Sequence, residues 1–352
     1  TRGVEFLLQK NAVEIIKGEA EIVSEHSVSV ENRLLETKNI IVASGSKPAK
    51  PSYPLPEDKL IEIEELLNLE ELPKKPYVLG SGPHALELAQ FFAMIGKGVK
   101  LLLPGDSLLP GIDPSLEEYV KRIFKKSKID FLSFTGIAVD AEGKFVIDGK
   151  PAACDMIINA SMRKAVLPPT KIDFTLADGF IKVDSRLRTA YPNIYAVGDV
   201  NGLSYLAQSA SRQGLHAVDM IGGVAEDFDG ARIPFNMYTF PEIAQVGLTE
   251  PQIKEKGLDY RISEFPLSAN GKALAEGHTD GVVRLLADKK YGEVLGVQIV
   301  AQHATDMIAE AAAVLQLEGT IYDVAKTVHA HPTISEIFME AGFAAFDQPI
   351  HK

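Results

Sequence analysis

His331 and Glu336 have the residue types and spacing of an acid–base pair, five residues apart in the run Val328-His-Ala-His-Pro-Thr-Ile-Ser-Glu336. An imidazole changes charge near neutral pH, so it can take a proton from a substrate or return one. A carboxylate folding back onto it would fix the orientation of the ring. Pro332 disfavours helical backbone at the residue before it and suits the first turn of a helix. His331 is therefore expected in extended backbone at the mouth of a helix. The same residues admit a structural reading. Thr333-x-x-Glu336 fits a capping box, in which the carboxylate only satisfies a backbone N–H.

A second chemical signal is Gly80-Ser-Gly82-Pro-His-Ala85-Leu-Glu87. It follows a predicted strand at Tyr77 and opens a predicted helix that runs to about Ile95. In that position G-x-G-x-x-A is a dinucleotide fingerprint. Gly80 makes the turn, Gly82 admits a pyrophosphate, and Ala85 lets helix and strand pack. The helix N-terminus offers free N–H groups to phosphate. The alternative is a tight turn that binds nothing. The next strand, Val99–Leu103, ends in Leu103 where a ribose-binding carboxylate is expected. The nearest acid is Asp106, and no arginine stands there for a 2′-phosphate.

Other elements must position these groups. Short strands are predicted at Val13–Ile16, Glu21–Val23, Ser27–Val30 and Ile40–Val42, the last running into Ala43-Ser-Gly-Ser46. A Pro-rich connector, Lys47–Pro56, marks a domain boundary. Leu60–Leu72 reads as an acidic helical segment and Ser115–Lys126 as an amphipathic helix. Tyr195-Ala-Val is a buried strand with Gly198-Asp199 at its carboxyl end, where open α/β sheets bind ligands. Leu206–Ile221 is a predicted helix whose first turn could aim its dipole at a ligand. From Phe235 onward strands and then helices follow in an α+β module. Ala309, Ala312, Ala313 and Leu317 make a small-residue helix face suited to a core or a subunit contact.

Composition narrows the function classes. The chain has 352 residues, 46% hydrophobic and 24% charged, which fits two or three globular domains. A net charge of −12 argues against nucleic-acid binding. No apolar run approaches the roughly 20 residues that span a bilayer, and the first residues do not read as a signal peptide. A cytoplasmic location is the default. The single cysteine, Cys154, cannot form an internal disulfide and reads as a small buried hydrophobe.

Taken together, these segments resemble dihydrolipoamide dehydrogenase, of the flavin disulfide reductase group. The carriers are Ile40–Ser46, Gly80–Glu87, Thr189–Asp199, Tyr238–Glu250 and, most specifically, His329–Glu336. The resemblance runs in order through essentially the whole chain. It implies an α/β fold: a Rossmann-like FAD domain (incomplete here), an NAD domain with a parallel sheet, and a C-terminal α+β dimerisation domain. The expected limits are 1–56 for the partial FAD domain, 57–165 for the NAD domain, 166–230 for the return to the FAD domain, and 231–352 for the dimerisation domain.

The resemblance implies an enzyme that oxidises protein-bound dihydrolipoyl groups through a disulfide and FAD, with NAD as acceptor, in cell redox homeostasis. It implies a homodimer, and a lipoyl-bearing acyltransferase of a 2-oxoacid dehydrogenase complex as a partner. No metal is expected. By motif, His331 would be the acid/base, acting across the dimer, and Glu336 would orient it. Asp199, beside Gly198, would bind the ribityl chain. Tyr205, Leu206, Ala207 and Gln208 would face the flavin ring, and Ala20, Ser44, Gly45 and Ser46 would line the adenine half. Gly80, Gly82 and Ala85 would belong to the NAD site, and Glu87 would lie near the flavin–nicotinamide junction.

Several positions depart from the family pattern. The family's first flavin-phosphate loop and its Cys-x-x-x-x-Cys pair are not in these residues. Leu103 replaces the ribose acid, Met162 replaces a glycine before Arg163, and Gln208 stands where histidine is usual. Two alternatives to the enzyme therefore stay open. One is a non-catalytic scaffold subunit that keeps the dimer module. The other is a related flavin disulfide reductase with another substrate.

Overall fold

Strand Pro76–Leu79 is the centre of a five-stranded parallel sheet in the computed structural model, which describes residues 1–352 except Thr1, Ser52, Pro54, Asp106, Met162, Ala225 and Lys352. The strand order is Leu60–Glu62, Met156–Asn159, Pro76–Leu79, Lys100–Leu103, Asp130–Ser133. The three inner strands are apolar and buried, as a sheet covered on both faces requires. Helix Pro114–Lys126 buries Leu116, Val120, Ile123 and Phe124, which recur at helical spacing along one face. It starts cleanly because Asp113 accepts from the Ser115 N–H at 3.0 Å and Pro114 occupies the first turn.

The chain divides into two compact units. One comprises residues 48–162 and 229–352. It contains the parallel sheet and a five-stranded antiparallel sheet in the order Phe235–Met237, Glu242–Gly247, Val294–Ala301, Val282–Asp288, Tyr260–Pro266. Helices Ala304–Gln316, Ile321–Lys326 and Glu336–Ala344 pack against this second sheet around Phe265, Ile308, Ile337 and Phe338.

The other unit comprises residues 1–47 and 163–228. Strands Ala20–Ser24, Ser27–Val30 and Arg33–Glu36 form an antiparallel meander. Strand Ile40–Val42 pairs in parallel with Ile194–Ala196, and these two make a sheet of their own. Helix Ala207–Ile221 follows.

Three local expectations are corrected. Residues 13–16 are not a strand. The chain before them is a helix, Arg2–Lys10, that ends where the Asn11 side chain donates to the Leu7 carbonyl and Ala12 adopts a positive φ. Leu60–Leu72 is a short strand, Leu60–Glu62, followed by a 3-10 turn, because Leu60 and Ile61 pair with Met156–Asn159. The last helix begins at Glu336, so Pro332 precedes it by a loop rather than sitting in its first turn.

Candidate functional site: the His329–Glu336 segment and the two glycine turns

The loop between helices Ile321–Lys326 and Glu336–Ala344 carries His331 at its tip. The side chain is 79% exposed, and Nδ1 lies 2.9 Å from Glu336 Oε1. A carboxylate only accepts, so Nδ1 carries a hydrogen toward Glu336 and Nε2 faces solvent. Glu336 Oε2 accepts from the Thr333 N–H at 2.8 Å. The carboxylate thus does what both sequence readings describe: one oxygen holds the ring and the other satisfies backbone. The capping box itself is only half formed, because the Thr333 hydroxyl donates to the Ala330 carbonyl instead. Partial burial opposes ionisation of Glu336. The Thr333 N–H and the His331 ring outweigh it and hold the carboxyl below its ordinary range.

Sequence reasoning passed over the loop's second histidine. His329 donates from Nδ1 toward the Thr327 carbonyl at 3.0 Å, and its Nε2 lies 2.8 Å from Glu310 Oε1. Its side chain is only 6% exposed. The His-x-His pattern was a visible signal for it. Glu310, on helix Ala304–Gln316, gave none.

In the same unit, the fingerprint opens helix Pro83–Met94 directly after the central strand. Gly80 has φ +143°, and a Cβ there would stand 2.5 Å from the Ala160 carbonyl oxygen. Gly82, the N-cap, has φ +82° and ψ −172°, and a Cβ on it would meet open space. Ala85 is fully buried against the sheet. Glu87 accepts from the Tyr238 N–H at 2.8 Å. Leu103 is buried in the core shared with Val99 and Leu101, so the end of that strand presents no carboxylate. Asp106 and Met162 lie outside the described residues.

The other unit brings three of the expected flavin residues into one place. Ser46 Oγ donates to Asp199 Oδ2 at 2.6 Å and accepts from Arg163 Nε at 2.7 Å. Gly198, beside Asp199, has φ +72° and donates its N–H to the buried Gln213 side chain at 2.7 Å, which also receives Asn201. Gly45 has φ +74° with open space where a Cβ would sit. Ser44, Tyr205, Ala207 and Gln208 are exposed. Leu206 is the N-cap of helix Ala207–Ile221 and supplies no side-chain cap. Ala20 is set apart, on the meander opposite Val30.

This set fits a flavin: the Asp199 carboxylate suits hydroxyls of the sugar chain, and the open turn at Gly45 suits close approach of the adenine half. A glycine-rich phosphate loop between strand and helix is not found among the described residues of this unit.

Comparison with known proteins agrees with this architecture. Residues 1–214 match the pyridine nucleotide-disulphide oxidoreductase family model, and residues 233–342 match the dimerisation domain of the same family. The chain belongs to that family, an FAD-dependent enzyme class whose members use FAD and NAD. It is 34% identical over 371 residues to the mitochondrial dihydrolipoyl dehydrogenase of Pisum sativum, covering 100% of this chain and 74% of that protein. It is 36% identical to the dihydrolipoyl dehydrogenase of Bacillus subtilis, covering 100% and 78%. The crystal structure of LpdA from Mycobacterium tuberculosis superposes with a TM-score of 0.87 at 22% identity, covering 97% of this chain and 79% of that one, which shows the fold. The chain is therefore lipoamide dehydrogenase-like, and its dimerisation domain supports a homodimer. Among the described residues, no helix is long and apolar enough to cross a membrane.

Proposed function

We propose that the chain is the greater part of a dihydrolipoamide dehydrogenase, oxidising a protein-bound dihydrolipoyl dithiol to the disulfide with NAD as acceptor. The observation that carries this reading is the exposed His331 ring, fixed at Nδ1 by Glu336 and open to solvent at Nε2, inside the dimerisation module. His331 takes a proton from the dithiol at Nε2 and returns it in the reverse direction, acting on the partner protomer's thiol chemistry. Glu336 holds the ring in the Nδ1–H tautomer and stabilises the imidazolium that forms. When bound, FAD supplies the two-electron relay between the thiols and the nicotinamide. Asp199 binds a ribityl hydroxyl, with Ser46 and Arg163 orienting the carboxylate. Tyr205, Leu206, Ala207 and Gln208 border the ring, and Ala20, Ser44 and Gly45 the adenine half. Gly80, Gly82, Ala85 and Glu87 serve the nicotinamide nucleotide.

The redox disulfide, on this reading, comes from residues outside the 352. Two features support it. Among the described residues, strand Ile40–Val42 is paired along one edge only, with Ile41 39% exposed, and helix Arg2–Lys10 leaves Val4, Phe6 and Leu7 exposed. Folded proteins cover such edges and patches. The same reading places the protein in the cytoplasm, in redox homeostasis, beside a lipoyl-bearing acyltransferase of a 2-oxoacid dehydrogenase complex. The full polypeptide is expected to purify yellow, with flavin absorbance, and to reduce NAD with dihydrolipoamide. A colourless protein that takes up no FAD would overturn the proposal.

A second reading is a non-catalytic assembly subunit that keeps the dimer module. Leu103, buried where the ribose carboxylate is expected, favours it. It predicts no flavin uptake. A flavin disulfide reductase with another substrate would take up flavin yet fail to oxidise dihydrolipoamide.

A further inference from the structure

We propose that His329 is held as a buried imidazolium between Glu310 and the Thr327 carbonyl, and that this charged clamp positions His331. The inference rests on reading His331 as the acid/base.

Both groups facing the His329 ring are acceptors. A carbonyl and a carboxylate each require an N–H, and the ring meets both demands only when doubly protonated. The alternative is a neutral ring with the proton on Glu310. Ordinary carboxyl groups ionise about two pH units below imidazole, which favours the ion pair. With its side chain 6% exposed, the ring is shielded from the water that would weaken a surface pair. The bond to Glu310 raises the pKa of His329, burial opposes it, and Thr327 and the charge of Glu336 add to the rise. The charges acting on the ring come from Glu310 on helix Ala304–Gln316 and Glu336 on helix Glu336–Ala344. The adjoining short helix carries Asp323, whose carboxylate is taken by Thr320, and Lys326, which is exposed.

The position of this clamp in the loop is what gives it a role. Among the described residues, the His331 side chain is anchored through Glu336 alone, and the backbone around it is pinned on two sides. On the C-terminal side, the Thr333 N–H is held by Glu336 and the Thr333 carbonyl accepts from the Asn270 amide at 3.0 Å. On the N-terminal side, the Ala330 carbonyl accepts from the Thr333 hydroxyl within the loop, and the nearest anchor to another helix is His329, two residues away and bonded to Glu310. Removing the charge from that anchor frees the loop on one side. The His331 ring would then lose its fixed approach to Glu336. His329 is a positioning residue: it acts through His331 and is not placed on substrate.

The test is nitrogen NMR of the imidazole rings in protein labelled at histidine, with His329→Asn and His331→Asn assigning the two signals. At pH 7.5 His329 should show two protonated nitrogens, and His331 should carry a hydrogen on Nδ1. A bare nitrogen on His329 at pH 7.5 would overturn the proposal without any variant needing to fold. In Glu310→Gln, His329 should become neutral at pH 7.5 and His331 should populate both tautomers. An unchanged His331 tautomer in a Glu310→Gln protein whose His329 has become neutral would also overturn it. These readouts do not depend on turnover. If His331→Gln left dihydrolipoamide oxidation intact, the acid/base reading would fail while the clamp measurement stood.

Discussion

Nδ1 of His331 and Oε1 of Glu336 lie 2.9 Å apart, joining a ring exposed at a loop tip to a carboxylate at the start of a helix. The bond selects one tautomer and leaves Nε2 free. Glu336→Gln removes the charge that favours the imidazolium and offers an amide that can point either face at the ring. Turnover by the full polypeptide is expected to fall on the order of 10²-fold. Steady-state kinetics would check this, and unchanged turnover would argue that Glu336 only caps the helix.

Arg284 is buried among three carboxylates. Nη1 lies 3.0 Å from Asp113, Nε lies 2.9 Å from Glu264, and Nη2 bonds Glu250. Asp113 also caps helix Pro114–Lys126 and accepts from the Glu250 N–H, so the network ties the parallel-sheet lobe to the antiparallel sheet within one unit. Arg284→Met leaves Asp113, 1% exposed, without its counter-charge. The expected cost is about 3–5 kcal/mol, a fall in Tm of roughly 10 °C. A thermal melt within a degree or two of wild type would contradict this account of the junction.

Acid sensitivity follows from the same cluster. Bonds from Lys254, Arg284 and Tyr260 hold the Glu250 carboxyl down at about 2, from an ordinary 4.5. A group whose folded pKa is depressed stabilises the fold above its unfolded pKa, and the contribution is lost as pH falls toward the folded value. Glu250→Gln should therefore be less stable than wild type at pH 7. The difference should shrink between pH 4.5 and about 2. Melts at pH 7, 5 and 3 measure it, and a constant difference would rule out Glu250 as the titrating group.

Cys154 is no candidate for the redox thiol. Burial pushes its pKa up to about 12, and its Sγ–H donates to the Met156 carbonyl. The thiolate is the reactive form, so labelling at pH 7.5 should run about a thousandfold slower than for an ordinary thiol. Unfolding in urea should restore the ordinary rate. Rapid labelling of the native 352-residue chain would contradict the buried environment.

Much of the parallel sheet was legible in the sequence because its signals are local. The Tyr77–Leu79 run, the glycine turn and the helix from Pro83 lie within about twenty residues, and periodicity reads them directly. The antiparallel sheet was legible for the same reason. Helix Arg2–Lys10 was not, because it buries nothing and its pattern competes with the β-prone Val13–Ile16 beside it. Leu60–Leu72 misled because pairing with Met156–Asn159, far along the chain, overrode its helix-forming composition. The His331–Glu336 pair could be read from spacing alone. The partners of His329, Arg284 and Asp199 could not: they are side chains brought together by tertiary packing, such as Glu310, 19 residues from His329, and Ser46, 153 residues from Asp199.

The most direct test of the acid/base assignment is dihydrolipoamide-dependent NAD reduction by the full polypeptide and its His331→Gln variant, with flavin absorbance recorded on both. The account predicts equal flavin content and a fall in turnover of 10² or more, the contribution of a positioned general base. Equal turnover at equal flavin content would remove His331 from the chemistry and leave its contact with Glu336 as a matter of packing.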